Sequence, residues 1–185
     1  MTLLILAGPA GVGKGSIVSR MIEKDSSFTV SISATTRSPR PTEIEGQHYH
    51  FISKAEFEDL IAKDQLLEYA LVHGDNYYGT LRSELSRAEQ NGKKLIVEID
   101  LQGARQVKRH SPQALSIFVN PPSWDELERR LRMRATETEE QIQTRLNTAR
   151  QELDAAGEFD YQVTNLNLDD CVDEIIELVR KEDRK

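Results

Sequence analysis

Hydrophobic and polar positions recur along this chain with two periods, near 2 and near 3.6, and their order predicts strands interleaved with helices. The run TLLILA at 2–7 is short, wholly apolar but for its threonine, and ends at a glycine, which favours a buried strand over a helix. Glycine-rich GPAGVGKGS follows, and Ile17, Val18, Met21 and Ile22 then recur at helical spacing. Residues 28–33 alternate weakly as a strand, and TTRSPRPTEIEG, with Pro39, Pro41 and Gly46, has to be loop or turn. HYHFI at 48–52 reads as a strand, and Ser53 with Glu56 makes a capping box for a helix through about residue 63. LLEYALV at 66–72 returns as a strand, GDNYYGT turns the chain, and Leu81 to about Gln90 fits a helix.

The second strongly apolar strand, KKLIVEID at 93–100, ends on carboxylates. A helix from about Gln102 to His110 precedes LSIFV at 115–119, a β-rich run stopped by Pro121 and Pro122. Ser123 with Glu126, and then Thr138 with Gln141, mark two helix starts inside a highly charged stretch at 125–156 that breaks near ATET. YQVTN at 161–165 is the last strand, and Val172, Ile175, Ile176 and Val179 form one face of a C-terminal helix. Apolar strands alternating with helices predict an α/β fold, a central parallel sheet covered on both sides.

With 185 residues, 38% of them hydrophobic and 30% charged, the chain suits one compact domain with small insertions. No run reaches the roughly 18 apolar residues that span a bilayer, and MTLLILAGPAG lacks the basic flank of a signal peptide, so a cytoplasmic protein without membrane association is expected. Cys171 is the only cysteine, which rules out an intrachain disulfide and suits a small buried hydrophobe. A net charge of −7 argues against broad nucleic-acid binding, so any anionic ligand needs a local basic site. Lys14, Arg37, Arg40, Arg134 and Arg145 are the candidates, all near loops or helix ends. His48, His50, His73 and His110 lack the spacing of a zinc site, and no protein-bound zinc is expected.

Gly8-Pro9-Ala10-Gly11-Val12-Gly13-Lys14 fills the G-x-x-x-x-G-K portion of a phosphate-binding loop, in its required place between a strand and a helix. Glycines let backbone N–H groups converge on phosphate oxygens, the helix start adds its positive dipole end, and Lys14 adds a full charge. Gly8, Pro9, Ala10, Gly11, Val12, Gly13, Lys14, Gly15 and Ser16 are therefore expected to hold the phosphates of a nucleotide. Gly15 stands where a magnesium-binding Ser or Thr is usual, leaving the metal to ATP oxygens, water and acidic side chains. Glu98 and Asp100, at a strand end where such sheets open toward ligand, are the acidic candidates.

SISATTRSPRPTEIEGQHYHF, LLEYALVHGDNYYGT, VEIDLQGARQV and LRMRATETEE match, in order and over nearly the whole chain, segments of the guanylate kinases, a family this sequence resembles. The resemblance implies a P-loop three-layer fold with inserted GMP-binding and helical lid subdomains: core at 1–32, 81–123 and 157–185, GMP-binding at 33–80, lid at 124–156. It implies transfer of the γ-phosphoryl group of ATP, with Mg²⁺, to GMP or dGMP, by a monomer or homodimer. Catalytic roles fall by resemblance on Lys14, Arg37, Arg134 and Arg145, with Arg130 a further lid arginine. GMP contacts fall on Ser33, Arg37, Arg40, Glu43, Tyr49, Glu68, Tyr78, Thr80 and Asp100.

Guanidinium forks suit phosphate oxygens, and a carboxylate such as Glu68 suits the N–H donors of a guanine edge while repelling adenine. Glu98 replaces the Asp more usual in the family, so Asp100 is the favoured metal neighbour, and Ala135 replaces a common glycine at the lid hinge. The alternatives are a non-catalytic interaction module of this fold, against which Lys14 and its glycines speak, and a kinase of another monophosphate.

Overall fold

From its N-terminus the chain forms β1 (Leu3–Ala7), α1 (Lys14–Lys24), β2 (Phe28–Val30), β3 (Ser33–Thr35), β4 (His50–Phe51), α2 (Lys54–Ala62), β5 (Leu66–Val72) and β6 (Asn76–Leu81). It continues through α3 (Ser83–Gln90), β7 (Lys94–Glu98), α4 (Leu101–His110), β8 (Leu115–Asn120), α5 (Trp124–Arg132), α6 (Glu139–Asp154), β9 (Tyr161–Thr164) and α7 (Leu168–Glu182). This computed structural model describes residues 3–72, 75–133 and 138–184. Arg134, Ala135 and His73, three positions singled out from the sequence, lie outside the described residues.

The larger sheet has the order β2-β7-β1-β8-β9 and is parallel throughout. In central β1, Leu4 pairs with Ile96 on one side and Leu115 on the other. The period of 2 in the strands divides the apolar side chains between two faces. Leu4, Leu6, Ile96, Ile117 and Val119 pack with Ile17 and Met21 of α1 and Val172, Ile175 and Val179 of α7. Leu3, Ile5, Leu95, Val97 and Phe118 meet Ala88 of α3 and Ala104 and Val107 of α4 on the opposite face. Each fully buried Leu or Ile here stabilises the fold by about 1.5–3 kcal/mol relative to exposure. The three-layer α/β arrangement is the one the alternating pattern predicts.

A second sheet, β4-β3-β6-β5, is mostly antiparallel and corrects three sequence expectations. The single strand expected at 28–33 is two strands in different sheets, parted at Ser31 and Ile32. The segment read as a turn, GDNYYGT, is largely β6, whose Tyr77 and Leu81 join Phe57, Leu60 and Ile61 of α2 in a separate small core. Its composition of Asn, Tyr and Gly concealed the alternation that the packing uses. The strand expected at 48–52 shrinks to His50–Phe51, because residues 44–49 turn back on themselves through Gly46 N–H to Tyr49 carbonyl and His48 N–H to Ile44 carbonyl hydrogen bonds.

Two capping boxes form as read: Ser53 with Glu56 opens α2, and Thr138 with Gln141 opens α6. At α5 only half of a box forms. Ser123 accepts from the Glu126 N–H, while the Glu126 carboxylate turns to Arg129 and Arg130, each at 2.7 Å. Helices α5 and α6 pack through Leu127 and Leu131 against Ile142, Leu146 and Ala149, and Arg150 lies 4.9 Å above the Trp124 ring centre. Among the described residues, no helix is long and apolar enough to cross a membrane.

Candidate active site

The carboxyl end of β1 runs into the glycine-rich loop, and close packing explains the glycines. Gly8 has φ 148°, and a Cβ there would lie 2.5 Å from the Val119 carbonyl oxygen at the end of β8. At Gly13, φ is 99° and a Cβ would lie 2.8 Å from Asn165 Nδ2. Helix α1 then starts at Lys14 with no side chain capping its N-terminus and no acidic residue in its first turn. Its first N–H groups are left to an outside acceptor, the arrangement that suits an anion. Lys14 Nζ folds back over the loop and donates to the Gly8 carbonyl at 2.6 Å and to Pro9 at 3.4 Å.

A cleft of about 280 Å³ opens here, lined by Pro9, Ala10, Gly11, Gly13, Lys14, Gly15, Ser16 and Glu98. Gly8 and Val12, the other two residues of the expected ATP site, do not line it. Val12 is fully buried, and its carbonyl is the loop's anchor, accepting from Asn165 Nδ2 at 2.8 Å and from Arg130 Nη1 at 3.3 Å. Neither contact was legible in the sequence, since an Asn at a strand end and an Arg on a charged helix carry no signal of their own. Glu98 is open to the cleft yet crowded by protein atoms, which pushes its carboxyl above the usual range while Lys14 pulls it down. The geometry separates the two strand-end carboxylates: Glu98 faces the loop, whereas Asp100 caps α4, its Oδ1 accepting from the Gly103 N–H at 2.8 Å.

The second sheet supplies a different surface. Its register sets Ser33 opposite Thr80 and Thr80 opposite Glu68, so three expected base contacts lie in one row across β3, β6 and β5. Thr80 and Glu68 are buried, and Thr80 Oγ1 donates to Glu68 Oε1 at 2.7 Å. Burial drives the Glu68 carboxyl up to about 7, the Thr80 hydroxyl counteracts this, and the charge of Asp100 adds to the rise.

Tyr78 lies two residues before Thr80, on the same face of β6. Its hydroxyl accepts from Arg37 Nε at 3.1 Å. Arg37 is held further by Glu43, at 2.8 and 3.0 Å from Nη2, and by the Ser38 carbonyl, with its guanidinium 5.7 Å from the Tyr49 ring centre. Glu43 also accepts from the Arg40 backbone N–H at 2.7 Å. Its place is thus behind the arginines, and these bonds hold its carboxyl below the usual range. Half-buried Tyr49 stacks edge-on against Tyr78, and burial raises its phenol.

Arg145 is half-buried on α6. The same helix carries a residue the sequence reading missed. Glu152 is 7% exposed and continues the buried stripe of Ile142, Leu146 and Ala149. No hydrogen bond to its carboxylate occurs among the described residues. Its carboxyl is pushed up to about 7 by burial, with Lys14 opposing and Asp100 reinforcing the shift. Helical spacing from Ala149 was the available signal, obscured by the charge of the residue itself.

The sequence model of the family described as "Guanylate kinase" matches residues 1–182. The chain is 46% identical over 181 residues to a guanylate kinase of Synechocystis, covering 98% of this chain and 94% of that protein. It is 44% identical to a guanylate kinase of Prochlorococcus marinus, covering 96% of each. Among solved structures it is similar to a guanylate kinase from Anaplasma phagocytophilum, with TM-score 0.78, 30% identity, all of this chain and 87% of that one. Similarity to a shikimate kinase from Bacteroides thetaiotaomicron, with TM-score 0.52 at 11% identity, concerns the fold alone.

Proposed function

This chain belongs to the guanylate kinase family, and from that premise we propose how its own residues divide the work of moving the γ-phosphoryl group of ATP onto GMP. The observation that carries the assignment is the buried Glu68–Thr80 pair, aligned with Ser33 in a chain that also has an intact phosphate loop. A buried carboxylate accepts the N–H donors of a guanine edge, and adenine, with an acceptor there, would strand it. Arg37, Arg40, Tyr49 and Tyr78 hold the GMP phosphate, with Glu43 keeping the Arg37 guanidinium in place.

On the donor side, the residues from Gly8 to Ser16 wrap the ATP phosphates, and Lys14 exchanges its carbonyl partners for phosphate oxygens. Glu98 and Ser16 offer hard oxygen donors in the same cleft, a pair that fits Mg²⁺. The ion would neutralise phosphate charge as it spreads. No general base is required, because the attacking GMP oxygen is already anionic near neutral pH. The protein brings two anions together and offsets their repulsion with Lys14, Arg37, Arg40, Arg145 and, outside the described residues, Arg134. Helices α5 and α6 form the lid that excludes water over ATP.

A coupled assay of ADP release with ATP and GMP, dGMP, AMP, UMP or dTMP tests this reading. Guanine nucleotides are expected to be the preferred acceptors, and Lys14→Met is expected to lower kcat by about a hundredfold or more. A preference for another base overturns the acceptor assignment, and near-normal turnover of Lys14→Met overturns the donor assignment.

A further inference from the structure

We propose that Gly103 is a positioning residue for the acceptor base: its missing side chain is the space that allows Glu68 and Asp100 to flank one ligand. Gly103 is buried in the first turn of α4, where its N–H holds Asp100 Oδ1 at 2.8 Å. Its φ is not positive, unlike that of Gly8, Gly11, Gly13, Gly46 and Gly92, so the backbone there accepts any L residue. Helix propensity favours alanine over glycine at such a site. The reason for glycine is therefore steric.

A Cβ at this position would lie 3.1 Å from Glu68 Oε2 and 3.2 Å from Ile99 Cβ, both closer than ordinary van der Waals contact, and 3.4 Å from Asp100 Oδ1, at its near edge. Ile99 Cβ is fixed to the backbone, and Asp100 is fixed by its capping bond. Glu68 is the group able to yield. Its Oε1 is tied to Thr80 Oγ1 at 2.7 Å, so pressure on Oε2 twists the carboxylate against that bond and misaims it. Recognition groups work only when held within about 0.5 Å of their productive geometry. A single methyl group, favoured by helix propensity, thus bears directly on the base-reading carboxylate.

This inference rests on Glu68 as the guanine acceptor, and the experiment separates the two ideas. Steady-state kinetics and thermal melting are measured for the parent protein, Gly103→Ala, Gly103→Val, Glu68→Gln, Glu68→Asp and the double variant Gly103→Ala with Glu68→Asp. Gly103→Ala is expected to raise KM for GMP about tenfold, with KM for ATP within about twofold and Tm within about 4 °C of the parent; Gly103→Val raises KM for GMP further. The shorter carboxylate of Glu68→Asp clears the added methyl, so the double variant is expected to be no worse than Glu68→Asp alone. If Glu68→Gln impairs GMP use while both Gly103 variants keep the parent KM, the positioning role is refuted and the acceptor assignment stands. Equal losses for ATP and GMP with a lowered Tm and additive double-variant effects would reduce Gly103 to packing. An unchanged KM for GMP in Glu68→Gln would overturn the acceptor assignment and this inference with it.

Discussion

Arg37 illustrates how one side chain is prepared before any ligand arrives. Five neighbours surround it: Glu43, Tyr78, the Ser38 carbonyl and the rings of Tyr49 and Phe51. A guanidinium held in this way loses little further freedom on meeting phosphate, which is where preorganisation adds to affinity. Glu43 is the charged member of the set, and charge-assisted bonds of this kind are stronger than neutral ones. Glu43→Gln is accordingly expected to raise KM for GMP by about tenfold, leaving KM for ATP unchanged, in the same coupled assay. A parallel rise in both constants would count against a role confined to the acceptor. The arginines themselves stood out in TTRSPRP, but a carboxylate as their support did not follow from spacing. Only the folded loop brings Glu43 to Arg37 and Arg40 at once.

Between the two sheets, a pair of residues on α3 fixes how one strand hands over to the next. Buried Glu84 accepts from the Ile32 N–H at 2.7 Å and from Arg87 Nη2 at 2.7 Å, and Arg87 also donates to the Val30 carbonyl. The end of β2 at Val30 and the break at Ser31 and Ile32 are thereby clamped to α3. Removing the carboxylate would leave a partly buried N–H and a guanidinium without their acceptor. Glu84→Ala is expected to cost about 3 kcal/mol, read from denaturant unfolding, with Glu84→Gln costing less. A loss under about 0.5 kcal/mol would show that the clamp is dispensable. The sequence placed a helix here and a strand at 28–33. It gave no sign of the break, because the break is held by a residue more than fifty positions away.

Stability of the whole molecule should carry the mark of two buried carboxyls near its clefts. Glu68 and Glu152 are both pushed up to about 7, against about 4.3 for an unfolded Glu. Between these values the folded protein binds more protons than the unfolded chain, so their effect is a stability that falls as pH rises from about 4.5 to about 7. Carboxyls held low by arginines and N–H groups, such as Glu43, Glu126 and Asp169, act in the opposite sense and lose their contribution as the solution becomes acid. Maximum Tm is therefore expected on the acid side of neutrality, near about pH 5–6. Glu152→Gln keeps the shape without the charge and is expected to raise Tm at about pH 8 and flatten its decline above pH 6. Melting curves across that range test this; a slope equal to that of the parent protein would remove Glu152 as a contributor.

By itself the sequence determined the strand and helix order of the main sheet, two complete helix caps and the phosphate loop, because each depends on residues close together in the chain. Leu3 to Ala7, the glycines before Lys14, and Ser53 with Glu56 impose their local structure wherever the rest of the chain lies. Tertiary structure decided the division into two sheets, the Ser33–Thr80–Glu68 row, the Asn165 anchor on Val12, and the separation of Glu98 from Asp100. These depend on strand register and on contacts between distant segments, and a polar residue's burial cannot be known until its neighbours are placed. For that reason the burial of Glu68 and Glu152 and the tight space beside Gly103 became visible only when the fold showed which atoms surround them.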